Sequence, residues 1–193
     1  MTVPLIAGAA LTLWLLWEAW WDYHDQNLPL WFSLVPLAAG LIYRAALGDW
    51  PAALFAALLV ASTELPSALW RVPALGILAA LAATNLPPVW LPLIAGCVLA
   101  ELLFELGAMG GADALAIIYT MLWFPLWTAL GALLAGMLVL SLVQLLVRYR
   151  GRVLHQFTGA LTGKLQPTEA AGMGGLAAGF AVFTLSQLIR FAR

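Results

Sequence analysis

Long apolar runs, broken by short polar or proline-bearing interruptions, organise the chain from end to end. The first, Val3 to Trp21, is apolar except for Thr12 and Glu18, and it has no Lys or Arg before it as a secretory signal requires. It reads as a retained first helix. Leu30 to Leu47 forms a second run, Gly48-Asp49-Trp50-Pro51 a turn whose Pro suits the first turn of the next helix, and the third run reaches about Leu69. Arg71 marks the next interruption. Val72 to Thr84 and Pro88 to about Glu105 follow, separated by the breaker Asn85-Leu86-Pro87-Pro88. Gly107 to Asp113 breaks the pattern again, Pro125 divides the run from Ala114 to Val147, and a final run covers Ala170 to Ile189.

A span through the hydrocarbon core takes about 20 mainly apolar residues. The pattern therefore predicts an all-α, polytopic transmembrane helix bundle of about eight spans, within a range of six to eight. Val72 to Thr84 is short for a span and reads as a tilted or re-entrant piece. Residues 1–193 form one domain, since no extramembrane stretch is long enough for a second.

Charge sets the orientation. An N-terminus without positive charge faces outside, which puts Asp22 on the cytoplasmic side, and an even number of crossings returns the chain to that side at Asp113. Arg71, Arg148, Arg150, Arg152 and Lys164 then lie inside, and Arg44, Arg190 and Arg193 outside, in the direction of the positive-inside rule. Between residues 148 and 167, Leu154, Phe157, Leu161 and Leu165 recur at helical spacing, which predicts a basic cytoplasmic segment lying on the anionic inner leaflet. A solvated loop is the plainer alternative for it.

Composition narrows the function. With 64% hydrophobic and 9% charged residues and a net charge of −1, the chain is no strongly basic nucleic-acid binder. Its single cysteine, Cys97, excludes a disulfide framework or a Cys-based metal site and reads as a packing residue. His24 and His155 are isolated and read as solvated, so no metal or other cofactor is expected.

Carboxylates in apolar runs are costly and mark function. Glu18 and Asp22 share a helix face, as do Glu101 and Glu105. Each pair lies near the cytoplasmic end, where a hydrated helix end is the plain reading of the glutamates. Glu64 reads as a deeper, protonated acid bonded to a neighbouring helix. Asp22 closes the first helix and is followed by Tyr23-His24-Asp25-Gln26-Asn27-Leu28-Pro29, while Asp113 ends Gly110-Gly111-Ala112-Asp113, whose small residues allow close approach and an awkward helix start.

Those two segments resemble the motifs of the GxGD aspartic membrane proteases, and within them the type IV prepilin and archaeal preflagellin peptidases. The first family motif is an Asp at the cytoplasmic end of a helix with an aliphatic-Pro pair downstream, matched by Asp22 and Leu28-Pro29. The second is GxGD, commonly GGAD in the archaeal branch, matched by Gly110 to Asp113. Leu115 stands where the family often has Lys, and the basic residue favoured after the first Asp is missing. The resemblance implies Asp22 and Asp113 as catalytic residues, supported by Pro29, Gly110, Gly111 and Ala112. It also implies a cytoplasm-facing site in the cell membrane that removes the basic leader of a pilin-like or archaellin-like precursor. Methyl transfer is not expected, because the paired-Cys region of the methylating bacterial members has no counterpart. Glu18, Asp25, Glu101 and Glu105 are expected to supply negative potential for that leader.

Two other readings compete. A proton- or cation-coupled transporter uses intramembrane acids spread through the membrane depth, here Asp22, Glu64 and Asp113. A structural or assembly protein uses small-residue faces such as Gly175 and Gly179 only to pack helices.

Overall fold

The structure, a computed structural model, describes residues 2–25, 28–149 and 172–192. It is all-α: the described residues form eight α-helices and one 3-10 turn, with no strand among them. In chain order these are α1 (Thr2–Asp25), α2 (Leu30–Ala46), α3 (Trp50–Ser62), α4 (Ala68–Asn85), the 3-10 turn Pro88–Trp90, α5 (Leu91–Glu105), α6 (Gly111–Trp123), α7 (Trp127–Tyr149) and α8 (Gly172–Ala192). Leu and Ala dominate the helices, and Gly or Pro stands in or beside most of the breaks, as helix propensity requires. The basic segment read over residues 148–167 lies outside the described residues beyond Tyr149.

The third interruption falls elsewhere than expected. Helix α3 stops at Ser62 and α4 begins at Ala68, so the chain breaks at residues 63–67 and Arg71 sits inside a helix. Pro66 disfavours helix at Leu65, and Ser67 takes an extended N-cap conformation, with φ −151° and ψ 153°. Arg71 needs no helix end because it has a partner: its Nε lies 2.9 Å from Glu105 Oε1. The stretch expected to be short is thus an 18-residue helix. Glu64 is exposed in the turn, not bonded deep between helices.

Helix α6 is the centre. It touches α1, α2, α3, α5, α7 and α8, and Ala116, Ile117, Ile118, Tyr119, Met121 and Leu122 are all fully buried. Helices α7 and α8 pack against each other, where a Cβ on Gly179 would overlap the carbonyl oxygen of Ala132. Cys97 is buried in the same core.

The bundle has two chemically different ends. At one, Arg71 of α4 meets Glu105 at the end of α5, and the short link to α6 leads to Asp113. At the other, Arg44 of α2 lies 3.4 Å from Asp49 and stacks over the ring of Trp90 at 4.8 Å. Among the described residues, two helical stretches, Ala68–Asn85 and Pro88–Glu105, are long and apolar enough to cross a membrane by length and composition.

Candidate active site

Asp113 is the third residue of α6, behind an extended Gly110 with φ −73° and ψ 155°. Its carboxylate accepts a hydrogen bond from the Gly110 backbone N–H. An N3 acid reaching back to the N-cap amide is half of a capping box, which satisfies one orphan donor and suits the helix dipole. Capping alone accounts for one oxygen. The other, Oδ1, is buried without a hydrogen-bond partner, on a residue that is 9% exposed.

The acid that acts on it most strongly comes from α1. Asp22 is half-buried, one turn before the end of that helix, and it repels Asp113 electrostatically; Glu18 does so more weakly. Helix register explains the meeting. Tyr119 of α6 donates its hydroxyl to Glu18 Oε2 at 2.5 Å, which ties the two helices at one level. Asp113 lies six residues back along α6, about 9 Å, and Asp22 four residues on along α1, about 6 Å. With the two helices running in opposite directions, both carboxylates arrive at nearly the same height.

The remaining acids are placed differently from one another. Glu18 was expected at a hydrated end and in contact with a substrate leader, but it is fully buried and accepts bonds from Tyr119 and Trp14. Glu101 is also buried, at 6% exposure, and Glu105 is held by Arg71. The side chain of Asp25 lies outside the described residues. Pro29 accepts the Phe32 amide at 2.9 Å and starts α2. His24 is exposed, with Nδ1 2.8 Å from the Trp20 carbonyl and its ring against the Trp20 indole.

The glycines ahead of Asp113 have ordinary space. A Cβ on Gly110 would sit 3.4 Å from Asp113 Oδ2, and one on Gly111 3.4 Å from Phe104, both ordinary contact distances. Neither residue has a positive φ. The expectation that these positions need glycine for close approach or an awkward helix start therefore finds no steric basis.

Sequence reasoning missed the partner of Glu18. Tyr119 lies 101 residues away in an apolar run, and only its being a polar-tipped residue there gave a signal. Pro36 was a second signal. It has no N–H for the Phe32 carbonyl one turn back, and the Trp14 indole fills that place, donating to Phe32 O and to Glu18 Oε1, each at 3.1 Å.

Among the described residues, no group of three His, Cys, Asp or Glu side chains is arranged to hold a metal ion. An apolar groove of about 480 Å³ runs between α5 and the start of α7, lined by Leu91, Ile94, Val98, Leu102 and Trp127 among others, and no acid lines it. Comparison with protein-family models, with curated proteins and with solved structures gives no match for this chain.

Proposed function

We propose that the chain is a polytopic membrane aspartic endopeptidase in which Asp22 and Asp113 activate water against a peptide bond. The observation that carries this reading is the buried, unpartnered Oδ1 of Asp113 beside the like-charged Asp22. An uncompensated acid pair is costly in a structural site and useful in a catalytic one. Repulsion from one carboxylate disfavours ionisation of the other, so one member carries a proton while the other stays charged. The ionised member takes a proton from water, the water oxygen attacks the scissile carbonyl, and the protonated member stabilises the oxyanion and then helps protonate the leaving amine.

Membrane embedding is supported by the outer surface. Leu13, Ile42, Ile77, Leu138 and Val182 each leave more than half of their surface exposed, on five different helices. Large apolar side chains exposed on that many helices favour lipid as solvent. On this reading the helices cross about eight times in the cell membrane, with the Asp22–Asp113 end toward the cytoplasm.

The substrate we propose is a pilin-like or archaellin-like precursor with a short basic leader before an apolar helix. Glu105 is held by Arg71 and Glu101, like Glu18, is buried, so of the acids expected to meet a basic leader Glu105 is the one the described structure leaves partly accessible at this end. Glu18 drops out of that role because it is buried. The transporter alternative expects acids along the membrane depth. The described acids instead lie at, or within two turns of, helix ends, and Glu64 is in an exposed turn.

Co-expression with a candidate precursor tests the reading. Processing by the wild type and its loss in both Asp22→Asn and Asp113→Asn is the expected result. Processing that persists in both variants removes the aspartyl assignment.

A further inference from the structure

Among the described carboxylates that the mechanism leaves unused, Glu18 is fully enclosed. It has no exposed surface, yet it accepts Tyr119 Oη at 2.5 Å on one oxygen and Trp14 Nε1 at 3.1 Å on the other. Those donors do different things. Trp14 fastens Glu18 to its own helix and, through the Phe32 carbonyl, to α2, where the buried Ser33 hydroxyl also donates to Glu18. Tyr119 is the polar link from α1 to the central helix, and Tyr119 is itself fully buried.

An enclosed carboxylate is costly unless its oxygens are satisfied, and the cost rises steeply if α1 slides along α6. A slide by one residue would move Asp22 by about 1.5 Å against Asp113 while stripping Glu18 of the Tyr119 hydroxyl. Apolar contacts alone resist such a slide weakly, because one Leu or Ala contact replaces another. A directional bond does not have that tolerance.

We infer that Glu18 is a positioning residue: its bond to Tyr119 sets the register of α1 on α6 and thereby holds Asp22 opposite Asp113. This rests on the peptidase reading for its catalytic consequence but not for its structural one. Glutamine can take over the position, with Oε1 accepting from Trp14 and Nε2 donating to the Tyr119 hydroxyl, which can turn to accept. Leucine, of similar size, can do neither.

The test reads register and catalysis separately. In a Cys97→Ala background, Asp22→Cys and Asp113→Cys are introduced together, and the full chain in lipid is treated with a short bifunctional maleimide. Tyr43→Cys with Trp123→Cys, at rings 5.0 Å apart on α2 and α6 and away from α1, serves as the control pair. With Glu18 or Glu18→Gln the 22–113 pair should cross-link efficiently. With Glu18→Leu or Tyr119→Phe its yield should fall several-fold while the control pair keeps its yield. Undiminished 22–113 cross-linking in both Glu18→Leu and Tyr119→Phe overturns the proposal. Equal loss at both pairs also overturns it, since Glu18 then holds the fold and not the register.

Cleavage of the precursor is measured in the same variants with Asp22 and Asp113 intact. A misplacement of about 1 Å can cost about 100-fold in rate, so kcat should fall by 10-fold to 100-fold for Glu18→Leu at unchanged KM, and Glu18→Gln should restore it to within about threefold. A fall for Glu18→Gln as large as that for Glu18→Leu shows a need for the charge itself and overturns the positioning role. Register that depends on Glu18 in a protein that cleaves no precursor leaves the proposal standing and removes the peptidase reading.

Discussion

Arg44 Nε donates to the carbonyl oxygen of Leu122 across 2.7 Å, and the same guanidinium reaches the Trp123 carbonyl through Nη2 at 2.8 Å. The Leu126 N–H, which a continuing helix would give to Leu122, turns to the Phe124 carbonyl at 2.7 Å, so carbonyls at the end of α6 lack ordinary intrahelical donors. One side chain from α2 closes that end. Arg44→Met should therefore lower stability by about 2–4 kcal/mol, as expected for two carbonyls stripped of a charged donor. Arg44→Lys should recover only part of this, because an ammonium lacks the planar fork. Thermal unfolding of the detergent-solubilised variants measures both.

Gly179 faces a different constraint. A methyl group there meets the backbone of Ala132 and Leu133, which cannot swing aside as a side chain can. Gly179→Ala should cost about 1–3 kcal/mol or more by forcing α7 and α8 apart. At Gly131 nothing lies within 4 Å of an added Cβ, so Gly131→Ala should be neutral or stabilising. Parallel melting curves of the two variants decide it.

The contrast between Arg44 and Glu18 shows what the chain discloses before it folds. Helix existence was legible in the apolar runs. The placing of Asp22 and Asp113 at one end agrees with the four helices, α2 to α5, that stand between theirs. Arg71 misled because a charge in an apolar run looks like an interruption when its partner, Glu105, is 34 residues away. Glu18 is misread for the same reason, since its partner Tyr119 lies 101 residues on, and the carbonyls that Arg44 closes, 78 and 79 residues on, are equally hidden from the pattern. Periodicity carries no information about such pairings.

Repulsion between Asp22 and Asp113 gives those positions an unusual signature. Asp22→Asn relieves it without removing any described hydrogen bond and should raise the melting temperature while abolishing cleavage. Asp113→Asn relieves the same repulsion but weakens the cap on Gly110, so its melting temperature should change less. A destabilised Asp22→Asn variant would mark that residue as structural.

Glycine at position 110 should be replaceable. Its backbone is ordinary and an added methyl meets Asp113 Oδ2 only at contact distance, so Gly110→Ala should keep kcat within about tenfold, a change below about 1.4 kcal/mol. Assaying that variant beside Gly111→Ala, whose methyl would meet Phe104, tests whether the motif acts through space at all.

The most direct measurement uses purified full-length protein in lipid nanodiscs with a peptide carrying a basic leader joined to an apolar helix. Mass spectrometry then locates any cut. One cut between leader and helix, made by the wild type and by neither Asp22→Asn nor Asp113→Asn, is the predicted result. An intact peptide with the wild type, or the same cut made by either Asn variant, would contradict a shared-proton aspartate pair as the engine of this protein.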